Sequence, residues 1–147
     1  YPVWKSCMML KGALLMGRKK RIETIAVYEK MAEVASTQGD AFFAMEGYRL
    51  SGHLYYELNK LNTAFEKLLI SLVAGSYLDK DVRRQSTFLH AAYLALYIGR
   101  KIKSPADMEI VETELAGWLG DDWETLLQAE ELSGAKSKQK KSIFEFS

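Results

Sequence analysis

Apolar residues along this chain recur every three or four positions rather than every second one, the spacing of a helix that buries one face. Residues 21–37 show it well, with Ile22, Ile25, Ala26, Tyr28, Ala32 and Ala35 on one side. The same reading predicts helices over residues 2–16, 41–58, 61–74, 81–99, 105 to 117–120, and 122–132. Turn signals separate them. Gly17-Arg18-Lys19-Lys20, Gly39-Asp40 and Asn59-Lys60 are short breaks, and Asp40 is a natural N-cap. Gly75 is expected to end the fourth helix, and Ser104-Pro105 to cap and open the sixth. Asp79 with Asp81 and Asp121 with Asp122 read as acidic helix starts. Strict alternation of Val, Ile and Thr is absent, so no strand is expected before the tail. From residue 133 the chain turns small, polar and basic, with Lys136 to Lys141 as its densest part. That composition predicts a flexible tail over 133–147. Ser142-Ile143-Phe144-Glu145-Phe146 returns to apolar alternation and could dock as a short strand or turn.

Composition narrows this picture. A chain of 147 residues, 48% hydrophobic and 27% charged, can build one real core and is not a disordered composition. Its two prolines, Pro2 and Pro105, leave the length between them open to helix. A net charge of +1 supplies no global field to recruit nucleic acid or an anionic membrane. Cys7 is the single cysteine, which rules out a disulfide framework within the chain and fits a reducing, cytoplasmic setting. The longest apolar stretch, 68–74 interrupted by Ser71, is far too short to span a bilayer, and no signal peptide is visible. Tyr1 in place of an initiating Met leads us to expect an excised domain or processed product.

Within this pattern, residues 52–72 carry a specific spacing: Gly52, Tyr55, Asn59, Ala64 and Ser71-Leu72. Gly52 and Ala64 allow two helices to approach closely, Tyr55 fills the space between them, and Asn59 tolerates a left-handed turn. This segment resembles a tetratricopeptide repeat. Gly12, Gly52 and Ala92 follow one another at 40-residue intervals, longer than the ~34 residues of the standard repeat. Thr24 and Ser104 stand where that family has an alanine. The longer unit looks like the hairpins in the arrays of large bacterial transcriptional activators and related regulators. The resemblance implies an all-α fold, an α-α superhelix of antiparallel helical hairpins with about seven helices. The units would span 4–38, 41–76 and 81–119, with 122–132 as a terminal cap built on Trp123, Leu126, Leu127 and Leu132; together they form one domain over 1–132.

The resemblance also implies where a partner would bind, on the first helix of each unit. Carried onto this chain, the groove positions are Glu46, Arg49, His53, Tyr56 and Glu57 in the middle unit, and Ser86, Leu89, Tyr93, Leu96 and Tyr97 in the third. The first unit supplies Met9, Ala13 and Met16. Tyr, Met and Arg are interface-enriched types, although any one Tyr or Met at helical spacing is more often core. Tyr55 and Tyr48, seven apart, are expected on the core side and Tyr56 on another face. Arg18, Lys19, Lys20 and Arg21 form a basic turn open to phosphate or an acidic partner, though solvated charge is its commoner role. His53 and His90 have no ligand-spaced companions, so no metal or cofactor is expected, and no triad or phosphate loop argues for an enzyme. The expected partner is a protein or peptide, not nucleic acid or membrane, with a homodimer as an option. The expected role is a scaffold within a larger regulatory protein. The alternative is a small secretion-type chaperone, since similar three-repeat proteins of about this length serve that role.

Overall fold

Three turns set the geometry of the first half. In the computed structural model, which describes residues 1–133, α1 (Pro2–Gly17), α2 (Arg21–Thr37), α3 (Ala41–Glu57) and α4 (Leu61–Gly75) are joined by three-residue breaks at 20-residue intervals. Each break centres on a left-handed residue, Lys19 (φ 58°), Gly39 (φ 70°) or Asn59 (φ 59°). In each, the next amide donates back to the helix it has just left: Lys20 to the Leu15 carbonyl at 3.0 Å, Asp40 to Ala35 at 2.9 Å, and Lys60 to Tyr55 at 2.9 Å. The preceding amides bond to Met16, Ser36 and Tyr56. These are Schellman motifs, which satisfy the carbonyls a helix end leaves open and reverse the chain. Two 17-residue helices and two such turns make the 40-residue period.

The second half departs from that metre. The single helix expected over 81–99 is two: a turn of helix, α5 (Lys80–Arg83), and then α6 (Ser86–Ile102) after a break at Gln85. The reason lies far off in sequence. Arg83 Nε donates to the Trp118 carbonyl at 2.9 Å and Arg84 Nη1 to that of Leu119 at 2.7 Å, so both arginines serve the open end of α7 (Pro105–Leu119). Arg84 also forks onto Asp122 at 2.8 and 3.0 Å. Ser104 caps α7 as expected, accepting from the Asp107 amide, with Pro105 in the first turn. A final helix, α8, covers 123–133 within the described residues. Gly75, expected as a cap, is instead the buried last residue of α4; a Cβ there would stand 2.6 Å from the Phe88 ring and 2.7 Å from Met45 Sδ. It lets α6 approach.

The fold is all-α, eight helices with no strand among the described residues. None of those helices is long and apolar enough to cross a membrane. Helices α1 to α4 pack in sequence, α4 then packs on α6, α3 also touches α6, and α5 and α7 pack on α6 and on each other. The larger core runs from Met45 and Ala64 through Leu68, Leu72 and Phe88 to Leu119 and Leu127. A smaller one at the N-terminal end joins Ile25, Tyr28, Met31 and Leu54, with Trp4, Met8 and Met9 against it. Tyr55, half-buried, packs against both and links them. Tyr48 lies in neither core; it is half-buried with Lys67 over its ring at 6.0 Å. Gly52 faces Leu68 and the Ala64 carbonyl, the close approach its spacing suggested. Thr24 is fully buried where the repeat family has alanine, and its hydroxyl bonds to the Lys20 carbonyl at 2.7 Å, so the extra polar atom is satisfied. The basic tail expected over 133–147 lies, apart from residue 133, outside the described residues, as does the apolar segment within it.

Candidate binding face

Helix α3 carries four of the expected residues on one side, and the structure ties them into two hydrogen-bonded groups that meet at a His53–His90 ring contact. Arg49 forks onto Glu46, with Nη2 to Oε1 at 2.7 Å and Nε to Oε2 at 3.3 Å, and both side chains are mostly buried. Its Nη1 donates to His90 Nδ1 on α6 at 3.1 Å. A guanidinium only donates, so Nδ1 is the acceptor in this contact. His90 and His53 lie with ring centroids 5.6 Å apart. His53 Nε2 bonds Glu57 Oε1 at 3.1 Å, and Glu57 Oε2 accepts from Arg21 Nε at 2.8 Å. The Arg21 hydrogen bond, with His53 adding to it, pulls the Glu57 carboxyl below its ordinary value. His53 Nδ1 is enclosed with no hydrogen-bond partner among the described residues. Two arginines and two glutamates thus balance along a path from α2 across α3 to α6.

An aromatic patch continues it. Tyr56 meets Tyr97 edge-on at 6.1 Å, and Tyr97 stacks on Tyr93 at 6.3 Å. Lys101 Nζ donates to the Tyr97 hydroxyl at 2.8 Å. That bond lowers the Tyr97 pKa, whereas loss of solvent raises that of Tyr56. Beyond them a cleft of ≈ 490 Å³ opens between α6 and α8, walled by Tyr93, Tyr97, Lys101, Trp123, Glu124 and Glu131. With Arg100, which also lines it, the walls combine aromatic faces with two cationic and two anionic ends. Such a cleft suits an apolar side chain with polar flanks.

The expected set divides on this surface. Glu46, Arg49, His53, Tyr56 and Glu57 lie together, and Tyr93 and Tyr97 extend them. Leu89 does not belong: it is 5% exposed, in the core, and Leu96 is 4% exposed beneath the cleft. Helix α8 lies across that side of α6, with Ser86 Oγ bonded to Glu130 Oε2 at 3.2 Å, so the side of α6 expected to form a groove is partly covered by the chain itself. On α1, Met9 packs against the smaller core, while Ala13 and Met16 are exposed. The basic turn is not a uniform patch. Arg21 is engaged by Glu57, Lys20 stands 3.7 Å from Glu23, and Lys19 holds the left-handed position, leaving Arg18 to complete the exposed turn. Sequence reasoning missed His90, Lys101, Trp123, Glu124 and Glu131 as parts of this face. His90 was within reach of it, because the 40-residue period sets Arg49 beside residues 89–90. The α8 residues had no comparable signal. Among the described residues no three His, Cys, Asp or Glu side chains gather as a metal site.

Comparison with protein-family models, with curated proteins and with solved structures gives no match.

Proposed function

We propose that this chain is a protein-interaction scaffold of tetratricopeptide-like architecture that binds a peptide or helix along α3, α6 and the α6–α8 cleft. The helices α1, α3 and α6 act as first helices of three units and α2, α4 and α7 as second helices, with α8 closing the stack. The observation that carries the binding reading is the continuity of the face: a charge-balanced row of side chains from Arg21 to Glu46 leads into Tyr56, Tyr97 and Tyr93 and then into the cleft. Paired ions position and select a partner, while exposed tyrosines supply affinity. The acids and bases of this face bond one another, an arrangement suited to recognition rather than to turnover. The setting proposed is cytoplasmic, where a solvent-exposed thiol such as Cys7 stays reduced, and the domain serves within a larger regulatory protein.

Peptides selected from a displayed random library by the parent domain test this. Changing both Tyr56 and Tyr97 to Ala removes one ring that packs against the edge of the larger core and one exposed ring, and circular dichroism checks that the variant still folds. Calorimetric titration should show affinity falling about 30-fold, the effect of losing ~2 kcal/mol at a hot spot. Selected peptides that bind the folded double variant as tightly as the parent would move the site off this face.

A further inference from the structure

The first helix and the seventh are oppositely charged. Residues 1–22 contain six Lys or Arg and no Asp or Glu, whereas α7 (Pro105–Leu119) contains four Asp or Glu and no Lys or Arg. The basic helix also bears an unpartnered apolar stripe. On α1, Val3 (77% exposed), Cys7, Leu10 (63%) and Leu14 (57%) line up at intervals of four, three and four residues. That spacing keeps all four within one narrow face of a helix. Gly12 is the sole fully buried residue of α1, so most of this helix faces away from the molecule.

The acidic helix carries a matching surface. On α7, Ala106, Ile110 (65% exposed), Thr113 and Gly117 are exposed and repeat the same four-three-four interval. A Cβ built on Gly117 would meet nothing within 4 Å, so the ridge is open as well as low. Lys11 follows the third member of the α1 stripe, and Glu114 the third member of the α7 stripe, both exposed. A mostly large stripe beside Lys11 thus answers a mostly small one beside Glu114, with Ile110 the one large member of the α7 stripe. Helices approach to 8–10 Å where one side offers small residues to the other's large ones.

We infer that α1 of one copy docks on α7 of a second copy, a head-to-tail contact between identical chains. The inference is independent of the peptide-binding reading, since neither stripe includes a residue of that face. A heterologous contact leaves one α1 and one α7 unused at the ends of every assembly, so growth does not stop at a dimer. One helix on one helix is a small interface, and association should be weak and should weaken with salt.

Sedimentation velocity from micromolar to near-millimolar protein tests this, using the whole chain. The parent should show a mass rising steadily with concentration and falling with salt. A Leu10→Glu, Leu14→Glu variant and an Ile110→Lys, Glu114→Lys variant should each be monomeric, because each loses one end. Mixed in equal amounts they should form a dimer and nothing larger, each contributing its intact end. The altered side chains are exposed, and circular dichroism checks the fold. A parent that is monomeric throughout would overturn the inference, as would one that stops at a dimer insensitive to the α7 changes. A monomeric parent whose α1 stripe instead drives binding to phosphatidylserine vesicles would overturn it too and give that face to membranes.

Discussion

Lys19 occupies φ 58°, where a β-carbon crowds the following carbonyl, while the equivalent positions in the next two turns hold Gly39 and Asn59. The three turns share the same backbone hydrogen bonds, so Lys19→Gly should remove strain and leave every one of them in place. Glycine's greater freedom in the unfolded chain offsets part of the relief, and the expected net gain is about 0.5–1 kcal/mol, read from urea unfolding. Asn59→Gly should gain less, since Asn already tolerates this conformation. The opposite holds at Gly47. A Cβ there would stand 2.8 Å from the Tyr28 carbonyl oxygen and 2.9 Å from Ala32 Cβ, both fixed parts of α2. Gly47→Ala should therefore cost about 1–3 kcal/mol even though Ala favours helix. Gly117→Ala, on the open ridge of α7, should be stabilising by about 0.5–1 kcal/mol in the same assay.

Among elements, the legible parts of the fold are those whose cause is local. Two of the three turns could be read because Gly39, Asp40 and Asn59 declare left-handed and capping positions where they act, whereas in the first the left-handed residue is Lys19 and Gly17 lies inside α1. The Gly52–Ala64 approach was readable from spacing alone. The α5–α6 break was not, because Arg83 and Arg84 are drawn to carbonyls 35 residues away. Leu89 was misplaced for the same kind of reason: helical periodicity says which residues share a face, and only α8 decides which part of that face is covered. Helix α1 shows how a distant contact sets an element's fate. The Tyr1 hydroxyl donates to Asp40 Oδ2 at 2.7 Å, and Lys5 Nζ reaches the same oxygen at 3.3 Å while lying 3.8 Å from the Phe43 ring centre. Asp40 also caps α3 through the Phe43 amide. Burial raises the Asp40 pKa, but the bonds from Tyr1, the Phe43 amide and Lys5 outweigh it and leave it below 3.8, while Tyr1 is pushed up to about 12. A depressed folded value means the stabilisation is complete above the unfolded value near 3.8 and is lost as pH falls through the folded one. Asp40→Asn keeps the cap and removes the charge, so it should lower stability at neutral pH by less than ~1 kcal/mol and flatten the acid limb of a stability–pH curve. Asp40→Ala removes both and should cost about 1–2 kcal/mol.

Across the whole molecule, the two cores are unequal, and stability should grade from one end to the other. The larger core spans α3, α4, α6, α7 and α8, whereas α1 contributes one buried glycine and the partly buried Trp4, Met8 and Met9 to the smaller one. Free energy of local opening follows buried apolar contact, so α1 should open by itself while α4 and α6 exchange their amides only on global unfolding. Hydrogen exchange read by mass spectrometry should then show three classes: fast exchange in α1, intermediate in α2, and slow in α4 and α6. Asp40→Asn should quicken α1 and leave α6 unchanged at neutral pH, because the tether it weakens holds α1 alone. Uniform acceleration of every helix would mean that the cores unfold as one unit and that the Tyr55 bridge between them is stronger than either end. Local opening and self-association then become linked through α1. Docking on a second copy would cover the Leu10 and Leu14 stripe, so raising the protein concentration should slow exchange in α1 and in α7 but not in α4. Slowing confined to α1 would separate the covering of that helix from the head-to-tail contact.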